Sequence, residues 1–163
     1  MGIGAGYAAS DHAALGEEPW SDAERFHRFA AAVETVRTAI GTIPLAVAAH
    51  GGKALGVAAR LGDVWVSYGG FGLPPDEALA LTRSRCERLS ELAEGRTVTR
   101  RLLAGSAALT QDPIWQSVAA FDDFVGRYAE IGIDELALHW PPQATNPNVR
   151  PEVVDEIVAR LSA

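Results

Sequence analysis

Residues 44–68 read PLAVAAHGGKALGVAARLGDVWVSY, and their changing period decides the fold. Leu45 to Ala49 is a short apolar run closed by Pro44 on one side and by His50-Gly51-Gly52 on the other, the length and punctuation of a buried strand. From about Gly51 to Leu61 the period becomes helical, with Leu55, Ala58 and Leu61 on one stripe. Asp63 to Tyr68 then alternates, which is the pattern of a second strand. A strand, a helix and a strand in so short a stretch form a βαβ unit, whose strands run parallel through a right-handed crossover.

The same alternation extends in both directions. Toward the N-terminus, Ser21-Asp22-Ala23-Glu24 is a capping box that opens a helix with Phe26, Phe29, Val33, Val36 and Ile40 on one face, closed by Gly41. Residues 2 to 6 before it read as a glycine-rich strand. Toward the C-terminus, Pro74 and Pro75 precede a helix with Leu79, Cys86, Leu89 and Ala93 at helical spacing, and a strand follows from Arg100 to Gly105. After a long loop, Ser117 opens a helix bearing Phe121, Phe124, Val125 and Tyr128. Gly132 turns the chain into a strand from Glu135 to Trp140, and Pro151 opens a last helix with Val154, Ile157, Val158 and Leu161. Five βα units in succession predict an α/β fold with a parallel sheet, and no repeat or composition shift divides residues 1–163 into more than one domain.

Composition limits what such a chain can do. With 163 residues and 48% hydrophobic content it can bury one ordinary core, whereas a complete (β/α)8 barrel takes ~250 residues. A formal charge of -7 and the lack of a basic stripe argue against a nucleic-acid partner. Cys86 is the single cysteine, which excludes an intrachain disulfide and a cysteine-rich zinc site and fits a reducing, cytoplasmic setting. No stretch reads as an export leader or a membrane span.

Several segments carry residues suited to binding. Gly2-Ile3-Gly4-Ala5-Gly6 approaches a dinucleotide fingerprint, but Tyr7 stands where the third glycine belongs and no full strand precedes the first. His50-Gly51-Gly52 is better placed, because a strand ending at Ala49 and a helix starting there bring free backbone N–H groups together at the positive end of a helix dipole. Lys53, the only lysine, falls in the first turn, where a cation is mildly disfavoured unless an anion offsets it. The alternative at this point is a plain glycine turn with a solvated lysine. Asp63 falls at the start of its strand, on the face that serves stability, and Trp65 falls in the core. His139 and Trp140 end the last strand, at the face where parallel-barrel enzymes carry their binding groups. His12, Glu17 and Glu18 lack a metal-ligand spacing, Asp122 and Asp123 read as a solvated helical turn, and no hydrolytic triad stands out.

Met1-Gly2-Ile3-Gly4-Ala5-Gly6-Tyr7, Ala48-Ala49-His50-Gly51-Gly52-Lys53, Asp63-Val64-Trp65 and Gly132-Ile133-Asp134-Glu135-Leu136-Ala137-Leu138-His139-Trp140-Pro141 occur in an order that resembles the luciferase-like monooxygenase family, flavin- or F420-dependent oxidoreductases. The resemblance implies a partial TIM-type barrel whose five units correspond to strands 4 to 8, with F420 or FMN as cofactor and a small molecule as substrate. It implies that Tyr7 faces the reacting ring, that Ser10 contacts it, and that His50, Gly51, Gly52 and Lys53 hold the phosphate-bearing tail. Tyr68, Phe71, His139 and Trp140 then line the substrate side. Tyr68 and Phe71 stand where relatives that oxidise a sugar phosphate carry threonine and lysine, which implies a different substrate. With the first three units of the family pattern absent from these residues, the expectation is self-association or a partner chain that covers the open sheet edges. The alternative to an oxidoreductase is a non-catalytic half-barrel that binds a phosphate-bearing ligand or pairs with another chain.

Overall fold

The computed structural model describes residues 1–6, 9–105, 113–140, 142 and 149–162, with the side chains of Ala9 and Asp11 excepted. Five strands, β1 (Gly2–Gly4), β2 (Ala46–Ala48), β3 (Val64–Ser67), β4 (Thr99–Ala104) and β5 (Glu135–Leu138), form one parallel sheet in sequence order. Six helices complete the described elements: α1 (Ala9–Ala14), α2 (Asp22–Ile40), α3 (Gly52–Leu61), α4 (Pro75–Ala93), α5 (Val118–Glu130) and α6 (Pro151–Leu161). The fold is therefore α/β, as the alternating pattern predicts. Strands β1, β2, β3 and β5 are shorter than their expected runs, because the flanking residues turn out of the sheet into loops, and β4 keeps its expected length displaced by one residue. Ser10 to His12, read from sequence as loop, belongs to a short helix in an alanine-rich stretch with good helix propensity.

The contacts gather the chain into two compact units. The first comprises Met1–Val66 and Leu89–Val98. Here Ile3 pairs with Val47 and Val47 with Trp65, so the odd positions of three strands are in register. Val47 and Trp65 are fully buried together with Leu45, Val33, Ala58 and Ala59. Helix α2 begins as its capping box requires: the Ser21 side-chain oxygen accepts from the backbone N–H of Glu24 at 3.3 Å. Asp63 fastens the N-terminal ends of two strands, its Oδ2 accepting from Leu45 N at 2.8 Å and from Arg37 Nη1 at 2.6 Å. The stability face assigned to Asp63 from sequence is thus where it works.

The second unit comprises Ser67–Arg88 and Thr99–Ala163. Arg101 to Ala104 pair in parallel with Glu135 to Leu138. At the entry to this pair the Asp134 carboxylate accepts from Arg100 N at 2.8 Å, and Arg101 Nη2 lies 2.6 Å from the Glu135 carboxylate. Gly132 has φ 86, a left-handed conformation that favours glycine, and a β-carbon there would also displace the guanidinium of Arg100. Leu102, Phe124 and Tyr128 are buried, and the Phe124 and Tyr128 rings meet at a tilt with centroids 4.6 Å apart. Helix α6 corrects one expectation. It buries Val153, Val154 and Ile157, while Val158 and Leu161 remain exposed. The buried stripe is rotated about the helix axis toward Val153, and Leu161 lies in the last turn, beyond the covered part of the helix.

Candidate functional site at the strand ends

In the first unit, β1 and β2 are adjacent and parallel with Gly4 opposite Ala48, so the chain leaves both strands at the same edge of the sheet. One exit leads to α1, which carries Ser10 on its exposed surface; the other leads through His50 and Gly51 into α3. Gly51 is the N-cap of α3, extended at φ -81 and ψ 152, and no side chain caps the helix. Its carbonyl accepts the first helical bond from Leu55 N at 2.8 Å. The N–H groups of the first turn, Gly52 to Ala54, lack acceptors within the helix, and no acidic side chain offsets the dipole there. A β-carbon added to Gly51 or Gly52 would meet nothing within 4 Å. Packing therefore does not demand glycine at either position, and their absent side chains leave the backbone approachable. Such an arrangement suits an oxyanion.

Two neighbours condition this turn. Trp65 Nε1 donates to the carbonyl of Ala49 at 2.7 Å, which fixes the backbone just ahead of His50. The sequence reading placed Trp65 in the core and missed this second role. Lys53 Nζ lies 5.9 Å from the centre of the Phe26 ring, a cation–π distance that draws the ammonium toward α2. His50 is half-buried. Tyr7 lies outside the described residues.

The other expected site residues belong to the second unit. Tyr68 follows β3 directly, and its ring meets Phe71 edge to face at 6.5 Å and 87°. His139 follows β5; its backbone N–H donates to Ala104 O at 3.1 Å, and its Nε2 is buried without a hydrogen-bond partner among the described residues. Trp140 is 65% exposed. The structure thus groups Ser10 with His50 to Lys53 in one unit, and Tyr68, Phe71, His139 and Trp140 in the other. Arg85 joins this second group unexpectedly: its guanidinium reaches from α4 to the Gly69 carbonyl. A signal was available in the sequence, because Arg85 lies one helical turn from Thr82 and Leu89 on the inner stripe of α4, an unusual place for a cation.

Among the described residues Asp63, Arg85, Cys86 and Glu152 are displaced from their ordinary values, and of these only Arg85, lowered by burial, lies beside an expected site residue. The Leu45 N–H bond, with help from Arg37 and Arg96 against the cost of burial, holds the Asp63 carboxyl below the usual aspartate value. Burial pushes the Cys86 thiol up to about 11, Arg100 opposing and Asp134 and Glu87 adding to the rise. Among the described residues no group of three or more His, Cys, Asp or Glu side chains is gathered to hold a metal, and no helix is long and apolar enough to cross a membrane. No family model matches the chain, and no curated protein is similar to it at a significant level.

Proposed function

We propose that this chain is an oxidoreductase-family domain of the luciferase-like type, its five βα units corresponding to strands 4 to 8 of a TIM-type barrel. In this reading it works in the cytoplasm on a small-molecule substrate with F420 or FMN. The observation that carries the proposal is the uncapped, glycine-flanked N-terminus of α3 beside the exit of β1. When bound, either cofactor supplies a two-electron redox centre. The backbone N–H groups from Gly51 to Lys53 take the phosphate oxygens of its tail, and the helix dipole favours their charge. The resemblance gives Ser10 and Tyr7 to the ring side of the cofactor and His50 to its tail. To the substrate the resemblance gives Tyr68, Phe71, His139 and Trp140 of the second unit.

The test is a titration of the purified chain with FMN and with F420, followed by cofactor fluorescence. Binding of one of them is expected, and Gly51→Val should weaken it about tenfold or more, because the added side chain covers the N–H groups. Circular dichroism should show α3 intact in that variant. Absence of binding, or equal affinity in Gly51→Val, refutes the proposal. A second reading is favoured by one observation: among the described strands β1 and β5 each pair with a single neighbour and stand at the ends of the strand order. Unpaired edge groups invite another strand, so a non-catalytic half-barrel that pairs with another chain is the alternative. Size-exclusion chromatography combined with a redox assay separates the two.

A further inference from the structure

We propose that Arg85 anchors an oxyanion site at the C-terminal end of β3, taking the carboxylate or phosphate of a small ligand whose apolar body lies against Tyr68 and Phe71. This goes beyond the cofactor proposal and does not depend on it. The chain has 21 acidic residues against 14 basic ones, so carboxylates are in excess. Most described arginines take one: Arg25 pairs with Asp22, Arg37 with Asp63, Arg101 with Glu135 and Arg127 with Asp123. Arg85 is half-buried, and no carboxylate among the described residues pairs with it.

The geometry around Arg85 is fixed on one side and open on the other. Nη1 donates to the Gly69 carbonyl. This is the hydrogen bond that the Arg85 guanidinium makes among the described residues, and the residue is only half-buried. Gly69 itself is held firmly: φ is +69, its N–H donates to the buried Ser67 hydroxyl at 3.1 Å, and a β-carbon there would lie 3.7 Å from Thr82 Oγ1 and 3.8 Å from the Tyr128 hydroxyl. The carbonyl, and with it the guanidinium plane, therefore has a set position. Burial disfavours the charged form of Arg85, a cost that an arriving anion relieves. Two residues along the chain from Gly69, Phe71 is 62% exposed and edge-on to Tyr68, an apolar surface on the same loop that the guanidinium clasps. A planar fork with free donors recognises the two oxygens of a carboxylate or phosphate.

Benzoate and inorganic phosphate are the probes, titrated into the full chain by calorimetry without any redox cofactor, so that the outcome is separate from that of the flavin titration. Saturable binding of at least one anion is expected. Binding of benzoate alone assigns a carboxylate ligand, and binding of phosphate alone assigns a phosphate ester. Arg85→Gln should lose about tenfold or more in affinity, and Arg85→Lys should lose affinity too, since it keeps the charge and not the fork. Phe71→Ala should weaken benzoate and spare phosphate. If Arg85→Gln does not fold, Arg85→Lys decides. An arginine that only clasps the Gly69 carbonyl predicts unchanged anion affinity in these variants. That result, or a wild-type chain that binds neither probe, overturns the proposal.

Discussion

Replacing Asp63 tests how the first unit is fastened. In Asp63→Ala the N–H of Leu45, a fully buried residue, loses its side-chain acceptor, and an orphaned buried donor costs about 1–3 kcal/mol. The ion pair adds little. The Asp63 side chain is 41% exposed, so solvent screens its attraction for Arg37 to below about 1 kcal/mol. Arg37 also keeps its bonds to Gly41 O at 2.6 Å and Ile43 O at 3.1 Å, so it is not stranded. The expected loss is about 2 kcal/mol for Asp63→Ala and about 1 kcal/mol for Asp63→Asn, which retains an acceptor. Urea denaturation at pH 7 measures both, with a lower midpoint and an unchanged slope. Because the folded carboxyl titrates below the ordinary value of 3.8, its contribution is complete above that pH and disappears as pH falls through the folded value. Asp63→Asn should lack this acid-side loss. An Asp63→Ala variant as stable as wild type, or an Asp63→Asn variant with the same acid-side loss, would refute the reasoning.

Trp65→Phe should cost about 1–3 kcal/mol, because it leaves the buried Ala49 carbonyl without its indole donor, and it should weaken cofactor affinity by loosening the turn at His50; thermal denaturation and the flavin titration read the two effects. Equal affinity in a destabilised Trp65→Phe would separate the turn from the binding site. Cys86 should resist alkylation by iodoacetamide at pH 8 in the folded chain and react readily in urea, since burial holds the thiol protonated up to about 11. The stability that accompanies this raised value is complete below the ordinary thiol value of 9.0 and is lost as pH rises through about 11, so alkaline unfolding should be delayed in Cys86→Ala.

The elements most legible in the sequence were those whose signal is local. The Ser21 to Glu24 box, the Gly132 turn and the shift of period between Ala49 and Gly51 each depend on neighbouring residues, and each appears in the structure. The rotation of α6 toward Val153 was illegible, because apolar side chains at 153, 154, 157, 158 and 161 permit more than one stripe and only the surface they meet chooses among them. The same holds for the site. A glycine turn ahead of a helix announces an anion cradle from a few residues, but Trp65 reaching Ala49 and Arg85 reaching Gly69 are contacts made across sixteen residues of chain. Side-chain length and direction decide such contacts, and neither is written in a periodicity.

The sheet keeps the order of the chain, and this bears on how it forms. Ala46 meets Val64 eighteen residues on, Arg101 meets Glu135 thirty-four residues on, and Gly2 meets Ala46 forty-four residues on. Closing the longest of these loops rather than the shortest costs about 0.8 kcal/mol more entropy. The β2–β3 pair, with α3 between its strands, is therefore the cheapest nucleus to assemble, and it contains both Trp65 and the turn at His50. β1 joins later, against a strand whose other side is already occupied. During synthesis the glycine-rich β1 must wait for residues 44–48 before it can pair with β2, so the stretch that reveals the fold on paper is also the one that would start it in time.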